Sequence, residues 1–467
     1  MATLGILLSL GLLMYFAYRG VSVLLLAPVL ALLAVWMSAG ELFMVLPTYT
    51  QVFMKAMGGY LIQFFPLFLL GAVFGKLMED SGSAAAIAQG IVQRLGHGRA
   101  ILAVVLACAI LTYGGVSLFV VAFAVYPIGS ALFRVAGIPK RLLPAAIALG
   151  AFTFTMTALP GTPAIQNAIP NPFFGTDAFA APGLGLIAAA IMLGLGAWWL
   201  NTQARRLMAA GEGYGADDDT ATGGHTAAAP RPMPSFWLGL LPILVVIGTN
   251  FAMAKVVLPQ VDTAFLAQPE YGGLKDARSL IGLWAIIVAL TSAVLLLTVL
   301  HWRRWADLMK TLNDGAFGSM LPILNTATEV GYGTVIASLA GFVVIRDWVL
   351  GVAPGNPLVS EAIAVNILAG ITGSASGGMS IALQTLGADY LAMARAAGIS
   401  PELLHRVAAM ASGCMDTLPH NGAVISLLTI CKLTHRQSYG FIAMNTVVFP
   451  LLALVVVIVL GTLFGSF

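Results

Sequence analysis

With 467 residues, 59% of them hydrophobic, only 9% charged and a mean hydropathy of +0.95, the chain lies far from the soluble average of roughly 45–50% apolar and 25% charged residues. It reads as an all-α polytopic membrane protein in a lipid bilayer, and its net charge of +3 reflects loop lysines and arginines, which set topology and imply no nucleic-acid partner. Cys108, Cys414 and Cys431 stand apart in apolar surroundings, which argues against a disulfide framework or a zinc site.

The N-terminus enters apolar sequence with no basic leader, so residues 4–18 are expected to be a first span rather than a signal peptide. Spans are expected at 21–37 and 60–78; Lys76, Glu79 and Asp80 then introduce 81–95, an interfacial amphipathic helix. Residues 101–112 and 118–133 flank a break at Tyr113-Gly114-Gly115-Val116-Ser117. At ~1.5 Å per residue the first arm is roughly 18 Å long, too short for a hydrocarbon core of about 30 Å. Arg99 precedes it and Arg134, Lys140 and Arg141 follow, so both ends sit on one basic side. That pattern predicts a re-entrant hairpin over 100–134 that enters from the cytoplasm with its Gly/Ser tip inside the protein.

Residues 142–169 then cross as a broken helix, interrupted at Leu159-Pro160-Gly161, and 184–200 return. The polar stretch 202–235, with Asp217-Asp218-Asp219, His225 and Pro230-Arg231-Pro232, is expected to be a flexible cytoplasmic linker, a solvated loop rather than a metal site. Spans follow at 236–257, 280–301 and 317–337, with an amphipathic piece to 350. Next come a hairpin over 360–395, a broken helix over 402–431 and a last span at 439–464. The second hairpin breaks at Thr372-Gly373-Ser374-Ala375-Ser376-Gly377-Gly378, and its sparse basic flanks open it to the outer side. Ala136-Gly137-Ile138-Pro139 before the first broken helix matches Ala397-Gly398-Ile399-Ser400-Pro401 before the second. The expected architecture is two inverted repeats, residues 1–201 and 236–467, with about ten full spans plus two hairpins.

Within the second broken helix, Asp416-Thr417-Leu418-Pro419-His420-Asn421-Gly422 sets an acid, an imidazole and an amide beside proline and glycine. A charged residue at the bilayer centre costs roughly 2.5–3.5 kcal/mol on insertion scales, so such a stretch faces protein or a water-filled cavity. Its counterpart is Thr157-Ala158-Leu159-Pro160-Gly161-Thr162-Pro163. Broken helices of this kind converge near the midplane, where half-helix N-termini favour an anion such as a small carboxylate. The candidate binding residues are Thr112, Gly114, Gly115 and Ser117 at the first tip, and Thr372, Gly373, Ser374, Ser376 and Ser380 at the second. Thr162, Gln166, Asn167, His420 and Asn421 follow the breaks. Packing by small residues is the alternative for the tips, satisfaction of the freed backbone for Asn167, and a satisfied core histidine for His420.

Asp416 and Glu329 are the acids expected inside the membrane, where apolar surroundings favour the protonated form and suit a proton carrier. Asp416 has two alternatives, a helix cap or a sodium ligand. Glu361 is expected in the first turn of a hairpin arm, where an acid steadies a helix start, and His405 and Arg406 at the membrane interface. No HExxH, GxSxG or P-loop is present, which excludes the familiar enzyme and nucleotide-driven pump classes; no cofactor or metal is implied.

The chain resembles the gluconate permease family of proton symporters, within the broader ion-transporter superfamily. The resemblance covers essentially the whole chain and rests on Leu111-Thr112-Tyr113-Gly114-Gly115-Val116-Ser117, on 157–163, and on 416–422 continued by Ala423-Val424. It implies uptake of small hydroxy acids such as gluconate or 3-hydroxybutyrate, with motifs closer to the hydroxybutyrate-type branch. It also implies a bacterial inner membrane, and a homodimer whose mobile transport domains move past a scaffold in an elevator-like manner. The coupling proton falls to Asp416, His420 or Glu329, with sodium as the alternative coupling ion. The long insert 202–235 departs from the family pattern.

Overall fold

Helices satisfy their own backbone hydrogen bonds, as a bilayer demands, and the computed structural model is helical throughout, with no strand among the described residues. It describes residues 2–19, 21–39, 42–215, 233–271, 277–353 and 355–467. Asp217-Asp218-Asp219, His225 and Pro230-Arg231-Pro232 of the expected linker lie outside the described residues.

Val45–Asp80, Pro182–Ala209, Phe236–Gln260, Leu280–Leu300 and His435–Phe464 are long and apolar enough to cross a bilayer. Leu308–Ser338 adds a sixth span if it is taken together with Phe342–Gly351, from which it is bent by 96°. Five or six such helices stand against the ten expected spans. The difference lies in Ala2–Tyr18 and Val23–Ala39, of 17 residues each, and in the two broken helices, whose pieces are short. The first broken helix is Leu143–Ala151, Phe154–Thr157, Ile165–Ala168 and Pro170–Phe174; the second is Pro401–Ser412 and Gly422–Ile430.

Several boundaries correct the sequence expectation. Val45–Asp80 begins well before residue 60, running helically through Gly58-Gly59. Leu308–Ser338 begins before residue 317 because Asp307 caps it, its side chain accepting from Lys310 N at 2.9 Å. Pro182–Ala209 carries the helix through 202–209, into the stretch expected to be linker. Ser83–Leu95 turns its apolar face, including Ile87 and Ile91, into the protein against Ala100–Tyr113 and Phe236–Phe251 rather than along an interface.

Val45–Asp80 and Leu308–Ser338 pack along one another. At Gly315 a Cβ would stand 2.8 Å from Val73 Cα, so only a glycine allows that approach. Thr311 Oγ1 donates to Asp80 Oδ2 at 2.6 Å, tying one end of the pair. Ser9 Oγ, which donates to Leu30 O at 2.8 Å and lies 3.0 Å from Tyr332 Oη, ties the first two helices to it.

The two hairpins flank the broken helices. The first is Ala100–Tyr113 and Leu118–Val135 with its tip at 114–117. The second is Pro357–Thr372 and Ala375–Ala396, and its tip is tighter than the sequence suggests. Gly373, at φ 63°, makes the turn with Ser374, while Gly377 and Gly378 lie inside the second arm.

Candidate functional site

Proline and glycine unwind each broken helix, and each freed carbonyl needs a donor where water is scarce. Neighbouring side chains supply them. At the first break Tyr113 Oη donates to Pro160 O at 2.7 Å and Asn250 Nδ2 to Gly161 O at 3.0 Å. At the second, His435 Nε2 lies 2.8 Å from Pro419 O, and Tyr439 Oη donates to Thr417 O at 3.3 Å.

Between the two breaks lies a small cavity of about 30 Å³. The first half contributes Leu118, Phe152, Met156, Thr157 and Gln166; the second contributes Ala375, Gly413, Asp416, Thr417 and Ala423. Both hairpin tips and both broken helices thus meet at one point. Leu118 opens the helix Leu118–Val135, Ala375 opens Ala375–Ala396, and Ala423 lies in the first turn of Gly422–Ile430. Three helix N-termini, with partial positive charge, therefore border the cavity; Ser374 and Asn421 cap two of them, and the first turn of Leu118–Val135 has no side-chain cap. Two C-terminal ends, at Thr157 and Gly413, bring carbonyl character to the same walls.

Asp416 and Gln166 are the expected site residues on the wall itself. The Asp416 Oδ1 and the Gln166 Oε1 are buried without a protein partner. Both oxygens are thus available to a ligand. Ser117 stands at the N-cap of Leu118–Val135 without a capping bond, and the buried Thr112 hydroxyl, one turn back, is also unpartnered.

Other candidates hold the architecture. Gly114 and Gly115 admit Ile243 and Pro163 against the first tip, each leaving under 3 Å for an added Cβ. Thr162 Oγ1 accepts from Ala164 N at 3.3 Å. Ser374 caps the second arm, accepting from Gly377 N at 3.0 Å, and Ser376 Oγ lies 3.2 Å from Thr326 Oγ1. Thr372 Oγ1 donates to Leu368 O at 2.9 Å. Asn421 accepts from Ala423 N at 2.6 Å and Val424 N at 3.1 Å, and its Nδ2 donates to Gly373 O at 2.6 Å. The His420 ring packs over Gly373.

Glu329 reaches the same tip from Leu308–Ser338. It lies beside Ser374, and its carboxylate fills the space that a Cβ on Gly377 would take. Glu361 is not in a first turn. It lies beyond the opening turn of Pro357–Thr372, fully buried, with both carboxylate oxygens unpartnered.

His405 and Arg406 are fully buried rather than interfacial. Arg406 Nε and Nη2 donate to Ala180 O at 3.1 and 2.7 Å, and Nη1 donates to Thr157 O at 3.0 Å and to Asn167 Oδ1 at 3.1 Å. His405 Nε2 lies 3.2 Å from the same Asn167 Oδ1, and its Nδ1 lies 2.7 Å from Thr176 Oγ1. Asn167 Nδ2 donates in turn to Thr162 O at 3.1 Å and Ala178 O at 2.9 Å. Asn167 therefore serves the freed backbone and clasps the two halves together. Sequence reasoning missed this cluster; the available signal was an arginine on the helix that leads to Asp416.

The family described as GntP family permease matches residues 1–464. The chain is 47% identical over 445 residues to the uncharacterized transporter YxjC of Bacillus subtilis (strain 168), covering 93% of each. Its fold is similar to that of the YdaH transporter of Alcanivorax borkumensis, a crystal structure with an unusual topology, at TM-score 0.56 and 18% identity over 88% of this chain and 87% of that one. It is also similar to MtrF of Neisseria gonorrhoeae, of a class of antimetabolite efflux pumps, at TM-score 0.55 and 12% identity over 90% and 84%.

Proposed function

The chain belongs to the GntP family of permeases, a multi-pass membrane transporter rather than an enzyme, and on that premise we propose that it imports a small hydroxycarboxylate by proton symport. The observation behind the anionic substrate is the convergence of three helix N-termini on one cavity that also holds an acid. Gluconate and 3-hydroxybutyrate are the substrate types considered. A cavity of about 30 Å³ holds roughly two waters, so a hydroxycarboxylate enters only when one wall moves. That need for movement supports alternating access.

In the proposed cycle the hairpins and broken helices form a transport domain that moves in an elevator-like manner. Val45–Asp80 and Leu308–Ser338 belong to a fixed scaffold, in a homodimer of the bacterial inner membrane. Residues 1–201 and 236–467 are the inverted repeats. Asp416 carries the coupling proton, since it lines the cavity while His420 and Glu329 flank the second tip. Gln166, Ser117 and Thr112 offer polar groups to the carboxylate and hydroxyl.

Sodium coupling is the second reading, favoured by the helix C-terminal end at Gly413 on the same wall as Asp416. Uptake of radiolabelled 3-hydroxybutyrate and gluconate into proteoliposomes, with inward proton and sodium gradients imposed separately, decides between them. Accumulation driven by protons alone is expected. A requirement for sodium moves coupling to that carbonyl end, and no uptake of either acid under either gradient overturns the substrate class.

A further inference from the structure

We propose that Arg406 is the fixed positive charge of the substrate site and that, with Asp416 as proton carrier, it makes transport electroneutral at one proton per carboxylate. This inference rests on the proton-symport reading above. Arg406 is fully buried, and four of its five N–H groups are held by two neutral carbonyls and one amide. Among the described residues no carboxylate hydrogen-bonds it. Of the acids within reach of its charge, Asp177 Oδ2 pairs with Lys255 Nζ at 2.7 Å, and Glu402, half-buried at a helix start, accepts from Ser466 Oγ at 2.8 Å and does not touch the guanidinium. Tyr113 and His405 are the other titratable groups facing it. His405 Nε2 faces the acceptor Asn167 Oδ1, and Nδ1 faces the Thr176 hydroxyl, which can give or take the hydrogen.

A buried charge with no carboxylate in contact is costly, and the cost falls when an opposite charge arrives close by. The place for that charge is one residue away. Arg406 Nη1 grips Thr157 O and the Asn167 side chain, and Thr157 and Gln166, the neighbour of Asn167, both line the cavity. By occupying the Thr157 carbonyl, the guanidinium also removes an oxygen that would otherwise draw a cation. Arg406 thus acts on the substrate through the wall, as a positioning residue.

The charges then fix which states can move. With Asp416 ionised and no substrate, Arg406 and Asp416 sum to zero. With Asp416 protonated and a carboxylate bound, Arg406 and the carboxylate sum to zero. A proton without substrate, or substrate without a proton, leaves a net charge at the low-dielectric centre and hinders movement. Glu329 and Glu361 lie off the cavity wall and are taken to keep one protonation state through the cycle.

The test uses full-length protein in proteoliposomes, with radiolabelled 3-hydroxybutyrate and gluconate as probes and a fixed proton gradient. The membrane potential is set by potassium diffusion through valinomycin. Initial rates are expected to change less than about twofold across the imposed potentials. Uptake that follows the proton gradient but also rises steeply with potential overturns electroneutrality while leaving the symporter reading intact. Absence of gradient-driven uptake of both acids overturns both.

For Arg406→Gln, KM for the carboxylate is expected to rise at least about tenfold, which corresponds to about 1.4 kcal/mol. Inhibition by the uncharged amide of the same acid should be unchanged, and Arg406→Lys should recover part of the affinity. Equal loss for anion and amide means a merely structural role and overturns the assignment. If Arg406→Gln does not fold, the anion-to-amide ratio of Arg406→Lys and the potential dependence of the wild type decide.

Discussion

The two breaks share a plan and differ in chemistry. At the first, the tip is held by neutral contacts: Tyr113 on the Pro160 carbonyl and Gly115 against Pro163. At the second, Asn421 grips Gly373, the His420 ring covers it, and Glu329 reaches in from another helix. Every acid at or beside the cavity belongs to the second half, as does Arg406, whereas the first half presents Gln166, Thr157 and apolar side chains. Two breaks of similar plan can thus differ in chemistry, the first presenting neutral groups to the cavity and the second an acid.

The sharpest way to break that comparison is a pair of substitutions across the cavity. Asp416→Asn keeps size and removes the titratable group, so proton-driven accumulation is expected to vanish while exchange of bound acid continues. Gln166→Leu on the opposite wall removes a neutral partner and is expected to raise KM by roughly tenfold with coupling intact. Flux assays with and without a proton gradient separate the two. Full accumulation by Asp416→Asn removes Asp416 from the coupling role.

The hairpins differ in how closely their arms approach. In the second, a Cβ on Gly378 would lie 2.2 Å from Ala369 N and 2.3 Å from Ala369 Cα, backbone that cannot yield. In the first, a Cβ on Gly129 meets only side-chain ends, Leu143 Cδ1 at 3.0 Å and Val104 Cγ2 at 3.2 Å. Gly378→Ala is therefore expected to cost about 1–3 kcal/mol or more and Gly129→Ala well under that. Melting of the two purified variants in detergent checks the order.

These differences bear on what the sequence could reveal. Both tips and both breaks are readable because proline and glycine act locally: Pro160, Pro419 and Gly373 unwind or turn the chain wherever it packs. Of the polar neighbours of the breaks, Asp416 and Gln166 line the cavity, while Asn421 and Asn167 bond the backbone. Helix starts are not readable in this way, since residues 60 and 317 look like beginnings and yet lie inside Val45–Asp80 and Leu308–Ser338. Arg406, His405 and Glu361 were also out of reach. Their burial depends on chain segments far away in sequence, such as Ala180 and Asn167 around Arg406, and periodicity carries no trace of such partners.

The ties at the two tips give the smaller effects. Asn421→Ala removes the cap of Gly422–Ile430 and the donor to Gly373 O. Loss of such a cap costs about 1–2 kcal/mol, and the orphaned Gly373 carbonyl adds to it. The second tip is expected to become more open to protease in the substrate-free protein, and added hydroxycarboxylate to reverse part of the change.

Tyr113→Phe makes the matching change at the first tip. It deletes one hydroxyl and leaves Pro160 O without its donor, a loss of about 1 kcal/mol. Packing of Gly115 on Pro163 survives the substitution, so the tip should keep its position. The expected result is a small fall in melting temperature with coupling and KM nearly unchanged. If Tyr113→Phe instead uncouples proton from solute, the first tip takes part in coupling and the division of labour between the halves is wrong. A neutral outcome, set beside a clear defect in Asn421→Ala, places the more sensitive ties at the second tip.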